Sequence, residues 1–135
     1  MVESSPAGRA RPLSPHLQVW RWHITLAASI LHRATGVALY VGLLILAGWG
    51  LALASGRGAY LAYTGVLASV PGRVILFGLT VSLFFHMANG VRHLAWDSGK
   101  GFSPASANAT ALASFGFAGG AAVAVWVILA LNGAL

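Results

Sequence analysis

Residues 82–97 read SLFFHMANGVRHLAWD, an apolar segment carrying His86, Arg92, His93 and Asp97 on what its composition predicts to be a membrane-spanning helix. Moving a charge into hydrocarbon costs about 2.5–3.5 kcal/mol on insertion scales, so ionisable groups at this depth face a partner, a cofactor or a water-filled cavity. The surrounding chain settles the class: 58% of its 135 residues are hydrophobic and 7% charged, with a mean hydropathy of +0.79. Such a composition belongs to an integral membrane protein. The net charge of +6 is scattered among apolar runs without a contiguous basic face, which argues against a nucleic-acid interface. With no cysteine, the chain offers no disulfide, thiol nucleophile or iron–sulfur ligand, and any redox chemistry must use a borrowed cofactor.

Outward from that segment the chain divides into three apolar runs. The fold class expected is an all-α membrane protein with three transmembrane helices, forming part of a multi-chain helical bundle. Residues 1–23 are read as a retained cytoplasmic tail, because they lack an apolar core of signal-peptide length. Helix I is expected over 24–54, ending at the Ser55-Gly56-Arg57-Gly58 break, and an outer loop over 55–70. Helix II is expected over 71–97, with Pro71 in its first turn, then a cytoplasmic loop over 98–108 and helix III over 109–132. Helix III carries no charge, and Gly116, Gly119, Gly120 and its alanines suit close packing against another helix.

Arg9, Arg11 and Arg21 in the tail, with Arg92 and Lys100 at the second loop, outnumber Arg57 and Arg73 at the first. The positive-inside rule then places the N-terminus in the cytoplasm and the C-terminus in the periplasm. Trp20, Trp22, Trp49 and Trp96 fall where interfacial belts are expected. In this orientation Ser29, His32 and Arg33 on helix I and His86, Arg92, His93 and Asp97 on helix II share the cytoplasmic half of the membrane.

His86 and His93 are seven residues, or ~10.5 Å, apart on one helix face. Axial ligands approach a haem from opposite faces, so these two cannot both clamp one iron. His86 lies deeper, and Gly90 four residues on removes bulk from the same face, which makes His86 the choice of ligand. Its alternative is a neutral histidine hydrogen-bonded between helices. Arg92 and His93 near the helix end suit snorkelling, and Arg92 with Asp97 suits a local ion pair of little worth. Ser29, His32 and Arg33 fall at i, i+3 and i+4, on one side of helix I. Arg33 and His32 suit carboxylates such as haem propionates, and Ser29 with Arg33 suits a quinone carbonyl; the alternatives are a snorkelling arginine and a backbone-bonded serine.

Three blocks, RPLSPHLQVWRW (11–22), SILHRATG (29–36) and HMANGVRHLAWDSG (86–99), resemble in content and order the cytochrome b556 membrane-anchor subunits of succinate dehydrogenase. The most specific part is the pattern H-x-x-x-G-[IV]-R-H-[LM]-x-x-D, present intact at 86–97. The opening is similar to the alphaproteobacterial and mitochondrial type, and the lack of a transit peptide points to a bacterial inner membrane. The resemblance implies a subunit without its own catalysis on succinate, working with a flavoprotein subunit, an iron–sulfur subunit and a second membrane-anchor subunit. It implies one haem b shared with that second anchor, and ubiquinone as substrate. By similarity His86 is the axial ligand to the haem iron, His32, Arg33 and His93 lie near the propionates, and Ser29 and Arg33 contact the quinone. Asp97 is a secondary candidate at the cytoplasmic end. The alternatives are a fumarate reductase anchor and a non-redox scaffold or transporter subunit; the second lacks the repeated halves that many transporters show.

Overall fold

The computed structural model describes residues 20–133. Residues 1–19, with Arg9, Arg11 and most of the opening motif, lie outside the described residues, as does most of the expected tail. Four helices follow in order: α1 (Ile24–Ala54), α2 (Arg57–Ala68), α3 (Val70–Asp97) and α4 (Pro104–Leu131). Of these, α1, α3 and α4 are long and apolar enough to cross a membrane. At ~1.5 Å per residue the 28 residues of α3 extend ~42 Å, more than the ~30 Å hydrocarbon core, so both ends reach the interfaces.

Residues 55–70 differ from the expected loop, because most of them form α2. Tyr60, Tyr63, Thr64 and Leu67 recur at helical spacing and make its half-buried side. The Tyr63 hydroxyl donates to the Ile45 carbonyl at 2.8 Å, and Trp49 meets Tyr60 edge to face at 6.4 Å. Gly48 permits this approach, since a Cβ there would lie 2.7 Å from the Tyr63 hydroxyl. The glycines of this stretch, read as a break, serve as one only at Gly56, whose φ of +103° separates α1 from α2.

Serines start the next two helices. The Ser69 Oγ accepts from the Gly72 N–H at 3.3 Å, with Pro71 in the first turn of α3. Ser103 accepts from the Ser106 N–H at 3.2 Å, with Pro104 opening α4. That cap starts α4 earlier than the expected residue 109. Between them α3 ends with Gly99 at φ +79°, and the Lys100 N–H returns to the Ala95 carbonyl at 3.1 Å.

The central element is α3, with α1 on one side and α4 on another. Phe85, Asn89 and Arg92, spaced four and three apart, are its buried stripe within the later half. They meet a stripe of small residues on α4, Ala111, Ser114, Ala118 and Ala122, which lets the backbones approach. Within this chain Gly116, Gly119 and Gly120 face open space and take no part in that contact. Phe85 packs on Phe115 at 4.9 Å between ring centroids, and Ala28 of α1 completes the cluster. Large apolar side chains elsewhere, such as Leu43, Leu44 and Val74, are exposed, as a chain surrounded by lipid or partner helices requires.

Candidate functional site

The later half of α3 presents two polar faces. Phe85, Asn89 and Arg92 turn towards α4, whereas His86 and His93 turn towards α1. Two turns, ~10.5 Å, leave room between those histidines for one flat ring stacked on each. The imidazole of His32 occupies that space, 4.0 Å from His86 with the planes 16° apart, and 4.9 Å from His93 with the planes 25° apart.

His86 is held by one turn of α1. Its Nδ1 lies 3.1 Å from the His32 carbonyl oxygen and 3.3 Å from the Thr35 hydroxyl. A carbonyl only accepts, so Nδ1 carries the proton and donates. The Thr35 hydroxyl gives its own proton to the backbone, with the Leu31 carbonyl at 2.8 Å and that of His32 at 3.0 Å. The ring therefore has one tautomer, with its lone pair on Nε2. No described residue hydrogen-bonds that nitrogen, and it is not among the enclosed unpaired atoms, so it opens onto the chain's surface. Gly36 supports the same edge: a Cβ there would lie 3.3 Å from His86 Cε1.

His93 is fixed from its own helix, its Nδ1–H donating to the Asn89 carbonyl at 2.7 Å, with Trp96 edge-on at 5.1 Å. Among the described residues the buried Nδ1 of His32 has no hydrogen-bond partner. Thus the structure gathers His32, His86 and His93. Ser29 sits half-buried about one turn before His32, while Arg33 and Asp97 are exposed. On α1 Ser29, His32 and Arg33 fall within an arc of ~100°. Successive residues turn by ~100°, so His32 enters the stack and Arg33 faces outwards.

Arg92 also departs from expectation. It neither snorkels nor pairs with Asp97, being 6% exposed. Its Nε donates to the Thr110 hydroxyl at 3.1 Å, one terminal nitrogen to Asn89 Oδ1 at 3.4 Å and the other to the Ala107 carbonyl at 3.2 Å. Its guanidinium carbon stands 4.2 Å over Trp96, which accordingly belongs to this hub rather than simply to an interfacial belt. The early start of α4 brings Ala107 and Thr110 within reach. Asn89, fully buried with its amide donating to the Phe85 carbonyl at 3.2 Å, was not singled out from sequence. The available signal was an amide inside an apolar helix, three residues before an arginine.

Among the described residues no group of three or more His, Cys, Asp or Glu could hold a metal ion, since the histidines stack instead of converging. The arrangement suits a different task. An imidazole with Nδ1–H tied to a carbonyl and Nε2 open at the surface would suit a haem iron as its ligand. Gly90, with nothing within 4 Å of a Cβ built on it, leaves the adjoining surface clear. The exposed guanidinium of Arg33 is a donor suited to carboxylates.

The model of the succinate dehydrogenase/fumarate reductase transmembrane subunit family matches residues 8–130. The chain is 41% identical over 100 residues to the succinate dehydrogenase cytochrome b556 subunit of Rickettsia felis, covering 74% of this chain and 77% of that one. To the cytochrome b556 subunit of Paracoccus denitrificans it is 41% identical over 91 residues, covering 67% and 70%. To the mitochondrial cytochrome b560 subunit of Homo sapiens it is 40% identical over 96 residues, 70% of this chain and 57% of that longer one.

Proposed function

The chain belongs to the succinate dehydrogenase/fumarate reductase transmembrane subunit family, and from that premise we propose that it is the cytochrome b membrane anchor of a succinate dehydrogenase. It is a subunit of an oxidoreductase and has no chemistry of its own on succinate. The named relatives are all succinate dehydrogenase subunits, which disfavours the fumarate reductase alternative. Membership in the family sets aside a non-redox scaffold or transporter subunit.

In this reading His86 would hold the iron of one haem b through Nε2, the haem being shared with a second anchor subunit. The observation carrying it is the hydrogen bond from His86 Nδ1–H to the His32 carbonyl, which leaves a neutral nitrogen donor at the surface. His32 and Arg33 would hold the haem propionates, with His93 beside them. Haem b supplies one-electron redox chemistry when bound. Ser29 and Arg33 bind ubiquinone: a hydroxyl and a guanidinium donate to its carbonyl oxygen, polarising it and favouring the negative charge that reduction develops there. Electrons reach the quinone from an iron–sulfur subunit served by a flavoprotein subunit. Quinol formation also takes two protons, which enter from the cytoplasmic side, where Asp97 is exposed. The complex lies in a bacterial inner membrane, with the N-terminus of this chain in the cytoplasm and its C-terminus in the periplasm.

The test is steady-state kinetics on the purified complex. Ser29→Ala and Arg33→Leu should slow quinone reduction while electron transfer from succinate to a soluble dye stays intact. Unchanged quinone kinetics in both variants overturns the assignment of the quinone residues.

A further inference from the structure

We infer that Thr35 is a positioning residue for the iron ligand, its hydroxyl taking a share of the His86 Nδ1–H and so setting how strongly that imidazole donates to iron. The inference rests on the reading of His86 as the ligand. Three threonine hydroxyls in the long helices follow one pattern, each donating to the carbonyl four residues back and accepting from an N–H on a facing helix. The donations run from Thr80 to Leu76 at 2.8 Å, from Thr110 to Ser106 at 2.9 Å and from Thr35 to Leu31 at 2.8 Å. The donors facing them are Trp126 Nε1 at 3.2 Å, Arg92 Nε at 3.1 Å and His86 Nδ1 at 3.3 Å. A hydroxyl whose own proton is engaged is polarised into a better acceptor. For Trp126 and Arg92 the consequence is packing, because both side chains only donate. His86 differs, because its ring conveys a change at Nδ1 to the lone pair on Nε2.

The two acceptors of the Nδ1–H have separate tasks. The His32 carbonyl, at 3.1 Å, is backbone fixed in α1 and holds the ring whatever side chain follows it. The Thr35 hydroxyl is the one of the pair that a side chain supplies, and its proton goes to Leu31, the shorter of its two carbonyl contacts, which leaves the His32 oxygen to the imidazole. Removing the hydroxyl therefore leaves the ring oriented but with one acceptor in place of two. Hydrogen bonding at the second nitrogen raises the basicity of a metal-bound histidine. A more basic ligand favours the more positive, oxidised iron. The carbonyl thus seats the ring, and the hydroxyl holds the redox equilibrium towards the oxidised side.

The test is redox potentiometry of the haem absorbance in the complete complex. Thr35→Val, close in shape but without the hydroxyl, should keep the haem content and the low-spin spectrum of wild type. Its oxidised-to-reduced equilibrium should move roughly threefold towards the reduced form, a rise of ~30 mV in midpoint potential for a one-electron couple. Thr35→Ser, which keeps the hydroxyl, should hold the wild-type potential. Thr35→Ala should rise as Thr35→Val does, so the effect of the hydroxyl is read from a second variant even if the valine chain fails to assemble. An unchanged or lowered potential without the hydroxyl would overturn the inference, as would an equal rise in Thr35→Ser, which would assign the effect to packing of the methyl group. Low-spin haem surviving in His86→Leu would overturn the ligand reading and this inference with it. Its loss there beside an unmoved potential in Thr35→Val and Thr35→Ala would overturn this inference alone.

Discussion

Replacing Gly36 tests whether one turn of α1 sets the position of the proposed iron ligand. A Cβ at this position meets His86 Cε1 at 3.3 Å, inside the ~3.5–4.0 Å of an optimal carbon contact. Gly36→Ala therefore requires the ring to yield by a few tenths of an ångström. That displacement strains the 3.1 Å bond from Nδ1 to the His32 carbonyl without breaking it. Gly36→Val adds two methyl groups beyond that Cβ, and the ring must leave its seat. The overpacking costs about 1–3 kcal/mol, and losing the hydrogen bond that orients a metal-bound histidine lowers affinity by about 10–100-fold. The assay is haem per complex from the reduced-minus-oxidised spectrum, with the midpoint potential measured on what remains. Gly36→Ala should retain haem with a shifted potential, and Gly36→Val should lose most of it. Full occupancy and an unchanged potential in Gly36→Val would refute the reasoning, since His86 could not then be seated against α1 as described.

Arg92→Leu removes three hydrogen bonds between and along α3 and α4; at ~0.6 kcal/mol each in a membrane they amount to about 2 kcal/mol, seen as a lower thermal midpoint of the haem absorbance. Thr110→Val, losing one of the three, should show about a third of that drop. His32→Ala keeps the backbone carbonyl that orients His86, so haem content should stay near wild type while the midpoint potential moves through loss of a propionate donor; loss of the haem would show that the ring stack, not the carbonyl, holds the ligand. Tyr63→Phe removes the bond to the Ile45 carbonyl and should destabilise the complex by about 1 kcal/mol without changing haem or quinone kinetics.

The three long helices were legible because continuous apolar runs leave little choice of structure in a membrane. The helix α2 was not, because Gly58 and Gly65 masked the Tyr60, Tyr63, Thr64 and Leu67 stripe, which is meaningful only against the outer part of α1. At the site, His86, His93 and His32 could be named from spacing and resemblance, yet their stacking depends on the register between antiparallel helices, which no local pattern encodes. Thr35 and Gly36 escaped for the same reason, since their role appears only when His86 lies across from them. Arg92 was read as an end-of-helix charge because its partners Ala107 and Thr110 fell in or beside the expected loop. Once Ser103 caps α4, those partners come into range and the arginine becomes a packing residue.

The proposed role of His86 is tested most directly by the dithionite-reduced spectrum of the complete complex carrying either His86→Leu or His93→Leu. The b-type absorbance should be lost or converted from its low-spin form in His86→Leu and remain low-spin in His93→Leu. An intact low-spin haem in His86→Leu would contradict the assignment of the ligand, and with it the reading of the α1 turn as its cradle.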